Sequence, residues 1–104
     1  MSEACHTMGN GEILNADKMD YPFFKAVLYG DKVLCAKLSK RLSCAIKHLS
    51  LRVEFSYEYA TQKAIEKGIT KDPTLTLDDM IFIEGLIDTE EITAKFKFLE
   101  GDKR

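Results

Sequence analysis

Apolar residues recur at helical spacing from Asp31 to Leu49. At about 100° per residue, Leu34, Leu38, Leu42, Ala45, Ile46 and Leu49 fall on one arc, joined by Cys35. That stripe predicts an amphipathic helix docked on a core. Asp31, just after Gly30, suits the cap, because its carboxylate can accept free backbone N–H groups and sits at the positive helix end. A Gly30-Asp31 hairpin turn is the competing reading. Val27–Tyr29 and Lys32–Cys35 would then be paired strands, with the helix starting near Ala36.

Strands follow from period-two patterns. In Ser50–Tyr59, Leu51, Val53, Phe55, Tyr57 and Tyr59 alternate with Arg52, Glu54, Ser56 and Glu58. This predicts a strand with one buried and one wet face, and hence antiparallel neighbours on at least part of its sheet. Tyr21–Tyr29 is apolar on both sides. Its aromatics and valine favour a strand, while Asp20 as a cap would favour a helix.

Met80–Ile87, apolar on both faces, reads as a central strand, and Gly85 as a bulge or kink in it. Ile92, Ala94, Phe96 and Phe98 alternate with Thr93, Lys95 and Lys97. Ile92–Leu99 is therefore expected to be the last strand, joined to Met80–Ile87 by a hairpin through Asp88–Glu91. Lys95 and Lys97 would then lie across from Glu54 and Glu58 and would guard a sheet edge. Between these segments, Ala60–Lys67 reads as a short helix ended by Gly68. Lys71-Asp72-Pro73 reads as a turn and Thr74–Leu77 as short and extended.

The expected architecture is α+β. A three- or four-stranded, largely antiparallel sheet carries one long amphipathic helix on one face. Residues 1–15 are expected to be a flexible tail, with a short extended piece at Glu12–Asn15. Residues 16–100 form a single domain, and 101–104 a frayed end. A chain of 104 residues with 45% apolar and 31% charged residues suits one globular domain.

Charge adds an asymmetry that the net value of −2 hides. The helix face opposite the apolar stripe carries Lys37, Lys40, Arg41, Lys47 and His48. No acid occurs between Lys32 and Leu51, and Arg52 would extend this basic face. From Asp72 to Glu91 the charges are all acidic: Asp72, Asp78, Asp79, Glu84, Asp88, Glu90 and Glu91. The net charge argues against a general nucleic-acid coat, which would be strongly basic.

Three cysteines, Cys5, Cys35 and Cys44, are odd in number and irregular in spacing. They do not read as a disulfide framework, and Cys35 and Cys44 point to different sides of the helix. A reducing, cytoplasmic location is the simpler expectation. The first residues lack the pattern of a signal peptide. No apolar run reaches membrane length, so no membrane association is expected.

Candidate chemistry is thin. Cys5, His6, Cys44 and His48 could supply a Cys₂His₂ zinc set, but no closely spaced cysteine pair supports it. Cys44 sits among cations that would lower a thiol pKa, against a helix dipole that opposes thiolate formation. The acidic run does not have the spacing of a calcium loop. No cofactor is expected.

The function read from the sequence is a small non-enzymatic protein-interaction module. Its partner is another protein or a second copy of the chain, and a homodimer through a sheet edge or the Tyr21–Tyr29 surface fits this reading. The surfaces to test are the basic residues Lys37, Lys40, Arg41, Lys47 and Arg52, and the acidic residues Asp78, Asp79, Asp88, Glu90 and Glu91. The alternative is nucleic-acid binding through the basic face of helix 31–49, which would be salt-dependent and indifferent to sequence.

Overall fold

The computed structural model of the chain describes residues 5–102. Among these, five strands and three helices follow in the order β1 (Ile13–Leu14), β2 (Phe23–Tyr29), α1 (Lys32–Ile46), β3 (Arg52–Glu58), α2 (Thr61–Glu66), β4 (Thr74–Leu77), β5 (Met80–Glu84) and α3 (Thr89–Asp102). The strands form one mixed sheet ordered β1-β3-β2-β4-β5. The β1/β3, β2/β4 and β4/β5 pairs are antiparallel, and β2/β3 is parallel. A parallel pair needs a crossover, and α1 supplies it. The α+β class and the mostly antiparallel sheet are as expected, with a larger sheet and a second substantial helix.

Strand alternation places the core. Phe24, Ala26 and Leu28 of β2, Val53 and Phe55 of β3, Leu75 and Leu77 of β4 and Ile83 of β5 are all buried. They join Cys35, Leu38, Leu42, Ala45 and Ile46 of α1 and Ile92 and Phe96 of α3 in one cluster. The α1 stripe is therefore the expected one. Asp31 caps it, its Oδ2 accepting from the N–H groups of Val33 and Leu34 at 3.0 and 3.2 Å. The hairpin alternative at Gly30-Asp31 is not taken. Gly30 has φ +132°, and a Cβ there would lie 2.0 Å from Asp72 Oδ1, so only glycine fits.

Two expected strands need correction. Ile92–Leu99 is helical and belongs to α3. Ile92 and Phe96 are a helical turn apart and both fully buried, and Leu99 continues the stripe half-buried, whereas Phe98 is 76% exposed. Alternation of Ile92, Ala94, Phe96 and Phe98 fits period two, but burial follows i, i+4, i+7. Asp88 starts the helix: its Oδ1 accepts from Glu91 N–H at 3.0 Å, and Glu90 and Glu91 complement the dipole in the first turn. The expected pairing of Lys95 and Lys97 with Glu54 and Glu58 does not occur.

The second correction concerns Met80–Ile87. Its strand part, β5, is the end of the sheet and not its centre. It looked apolar on both faces for two reasons. A register shift opposite Leu75/Thr76 leaves Phe82 without a partner in the ladder, so Phe82 and Ile83 both turn toward the helices. Met80 and Ile81 are apolar but exposed. The β4/β5 turn is Asp78-Asp79, with φ of 49° and 72°, the positive pair that a two-residue hairpin turn of this hand requires.

Candidate interaction surfaces

The N-terminal segment closes one flank of the sheet. Residues 5–15, read from the sequence as a tail, run across α1 and then along β3. Gly11 N–H donates to Phe55 O, and Phe55 N–H donates to Glu12 O at 2.8 Å. Met8 is buried. Its N–H donates to Ser39 Oγ at 2.8 Å, and its carbonyl accepts from the Tyr57 hydroxyl. The Ser39 and Tyr57 hydroxyls lie 2.8 Å apart, so the Ser39 proton can complete the ring toward Tyr57. Burial raises the Tyr57 pKa against this bond. Ser43 Oγ donates to His6 O at 2.9 Å, and the Thr7 hydroxyl donates to Ala36 O at 3.2 Å. Ser39 and Ser43, polar residues on a buried part of the helix, are explained by this clasp.

A disulfide between Cys5 and Cys44, with Cα atoms 5.2 Å apart, tethers the same segment. This overturns the expectation of free cysteines. The partner came from a segment that folds back across α1, which sequence spacing could not reveal. The bond fits a cytoplasmic location poorly. It also occupies both sulfurs of the zinc candidate and the thiol of the nucleophile candidate. Among the described residues no group of three or more His, Cys, Asp or Glu is placed to hold a metal ion. No helix there is long and apolar enough to cross a membrane. Cys35 remains a free thiol, buried in the core, and desolvation, with Asp72 and Asp31 nearby, pushes its pKa up to about 11.

The charged candidates are dispersed. Lys37 and Lys40 stand exposed on α1, and Lys47, just after its end, is half-buried. Arg41 Nη1 donates to Ile87 O at 2.9 Å, tying α1 to the segment between β5 and α3. Arg52 does not extend that patch. It alternates with Val53 onto the sheet face away from α1, 5.2 Å from the Phe23 ring. The acids fall into two places. Asp78 and Asp79 make the β4/β5 turn, where Asp78 accepts from Lys25 N–H at 2.9 Å and Asp79 meets Lys67 at 3.1 Å. Asp88, Glu90 and Glu91 open α3.

Two concavities among the described residues bear on function. One, of about 440 Å³, lies beyond the carboxyl ends of β2 and β3 and is lined by Tyr29, Asp31, Lys32, Tyr59, Ile65, Asp72 and their neighbours. Sheets with parallel strands often take ligands at that position. Here the Asp31 carboxylate already takes the N–H groups of Val33 and Leu34, and Asp31 N–H is used by Asp72 at 2.9 Å. An anion would meet two carboxylates there.

The other concavity is an apolar groove of about 430 Å³ between β5 and α3, lined by Phe82, Glu91, Ala94, Lys95, Phe98 and Leu99. Phe82 stands edge-on to Phe96 at 5.0 Å and forms its floor. On β5, Met80 and Ile81 are 71% and 41% exposed, and Ile81 shares with its partner Thr76 the sheet face away from the helices. The sequence reading missed this surface, because as a strand Phe98 would share the buried face of Phe96.

Comparison with protein-family models, with curated proteins and with solved structures finds no match for the chain.

Proposed function

We propose that this protein is an interaction module that acts by binding another protein chain rather than by catalysis. The observation that supports this reading is the apolar surface of β5 and α3. A large exposed side chain, Phe98, standing over an apolar groove is what recognition surfaces present. Charged residues line it: Glu91 and Lys95 on α3. An apolar centre with a polar rim is the usual anatomy of a protein interface. The segregated charges of α1 and the acidic turns then contribute to orientation and association rate more than to affinity.

Nucleic-acid binding through α1 has less support. Arg41 is committed to a backbone carbonyl, Arg52 faces elsewhere, and the segment ending at Cys5 is fastened to the same helix.

Site-specific photo-crosslinking tests the proposal. A photoreactive residue replaces Phe98 in one variant and Met19, similarly exposed but beside Arg52, in another. Protein adducts at position 98, absent at position 19 and lost on adding Ala94→Lys within the same groove, are expected. Adducts of equal strength at both positions, or none at 98, would overturn the reading.

A further inference from the structure

The two ends of the sheet differ in how they are finished. The β1 end has only two residues in its strand. The β5 end has five, and its outer backbone groups face no neighbouring strand among the described residues. Sheet edges are usually guarded by lysine, proline or inward charge. Met80-Ile81-Phe82-Ile83 carries none of these side chains, and the one device on this edge is the register shift opposite Leu75/Thr76.

Beside this edge, Glu91, Lys95 and Phe98 form the outward stripe of α3 at i, i+4 and i+7. Glu91 and Lys95 are both exposed, and neither has an ion-pair partner within the protomer among the described residues.

We infer that the β5 edge and its groove take a second copy of this chain, turned by a two-fold axis so that β5 and α3 each run antiparallel to their counterparts. The inference rests on the interaction-module reading and names its partner. The warrant is charge self-complementarity. Acid and base lie one helical turn apart on the stripe. An antiparallel copy brings its Lys95 to Glu91 and its Glu91 to Lys95, forming two cross-pairs at once, as an isologous interface requires. A copy laid parallel in register would set like against like. The same rotation lets the unpaired edges of β5 complete one continuous sheet.

Sedimentation velocity over the micromolar range tests this, with circular dichroism confirming that each exposed-site variant stays folded. Wild type should sediment at twice the protomer mass. Lys95→Glu places four acids around the axis and should weaken the dimer by about tenfold or more. The swap Glu91→Lys with Lys95→Glu should restore it close to wild type, which a merely structural role would not do. Ile81→Lys should also dissociate it.

A wild-type monomer throughout the range would overturn the second-copy inference. So would a swap no better than the single variant, or a dimer indifferent to Ile81→Lys. A monomer whose position 98 still crosslinks to a different protein would sink this inference and leave the interaction-module reading standing. A monomer without adducts would sink both.

Discussion

At the β1 flank the chain covers its own sheet, while at the β5 flank it leaves apolar side chains in the open. The first flank is built from a mostly polar segment whose one fully buried residue is Met8, and it is closed by a ring of hydrogen bonds, the short strand Ile13–Leu14 and a disulfide. The second flank is rich in apolar residues and has no such cover among the described residues. Met8 is 2% exposed and Met80 is 71% exposed, in opposite order to the hydrophobicity of their surroundings in sequence. What closes a flank here is the supply of backbone and hydroxyl partners. Buried polar groups must be paired, and Ser39, Ser43 and Tyr57 supply the pairs only on the β1 side.

The sharpest way to break this contrast is on α3, where two phenylalanines stand two residues apart. Phe96 is fully buried against Phe82, and Phe98 points into solvent. Phe96→Ala should destabilise the protomer by about 3–5 kcal/mol. Phe98→Ala should change it by no more than about 0.5 kcal/mol, as for an exposed site away from caps and networks. Urea unfolding at low protein concentration measures both. Equal losses would mean that the two rings share a buried face, as a strand would have them, and the open flank would then not exist.

That pair also shows where sequence pattern stops being decisive. The α1 stripe and the β3 alternation each satisfy one period only, so they were legible. Ile92–Leu99 satisfies two periods at once. The residues that settle it lie outside the alternation: Asp88, which caps the helix, with Glu91 three positions later, and Leu99, which continues the helical stripe. β5 was legible as a strand but not as an edge, because its bulge turns adjacent residues to one side and hides the polar face. The closed flank was least legible. The bonds of residues 6–8 to α1 and β3 span 29 to 49 residues of sequence, and nothing in a polar segment announces a distant carbonyl. The groove then followed the same blind spot, since it exists only if Phe98 faces outward.

Releasing the disulfide should sharpen the comparison from the other side. Cys5 and Cys44 are separated by 39 residues. In the chain-entropy account a loop of that size is worth about 2–4 kcal/mol once strain is allowed for. Thermal unfolding with and without reductant should show a loss of that order. Hydrogen exchange should rise in residues 5–14 and stay unchanged in β5 and α3. Equal loosening of both flanks would show that the tether supports the whole sheet and not one side of it.

The smallest expected effect is alkaline, and it also separates the flanks. Burial raises the pKa of Tyr57 on the closed side and that of Cys35 in the core, the latter to about 11. Both are acids whose neutral form is held in the folded state. When they ionise in the unfolded chain, near pH 9 for the thiol and near pH 10 for the phenol, the folded protein still binds those protons. The unfolded state then binds fewer, so stability falls as pH rises through this window and is complete below it. Denaturation midpoints from pH 8 upward should decline accordingly, in about that range. Tyr57→Phe should lower stability at neutral pH, through the lost bond to Met8, and flatten the upper part of the decline. Cys35→Ala should flatten the lower part. Hydrogen exchange above pH 10 should open residues 5–14 before β5, in about that order of pH, because the phenol proton is one of the clasp's own bonds. An alkaline decline that Tyr57→Phe leaves unchanged would remove the hydroxyl ring as the cause of closure and leave the disulfide and the burial of Met8 to account for it.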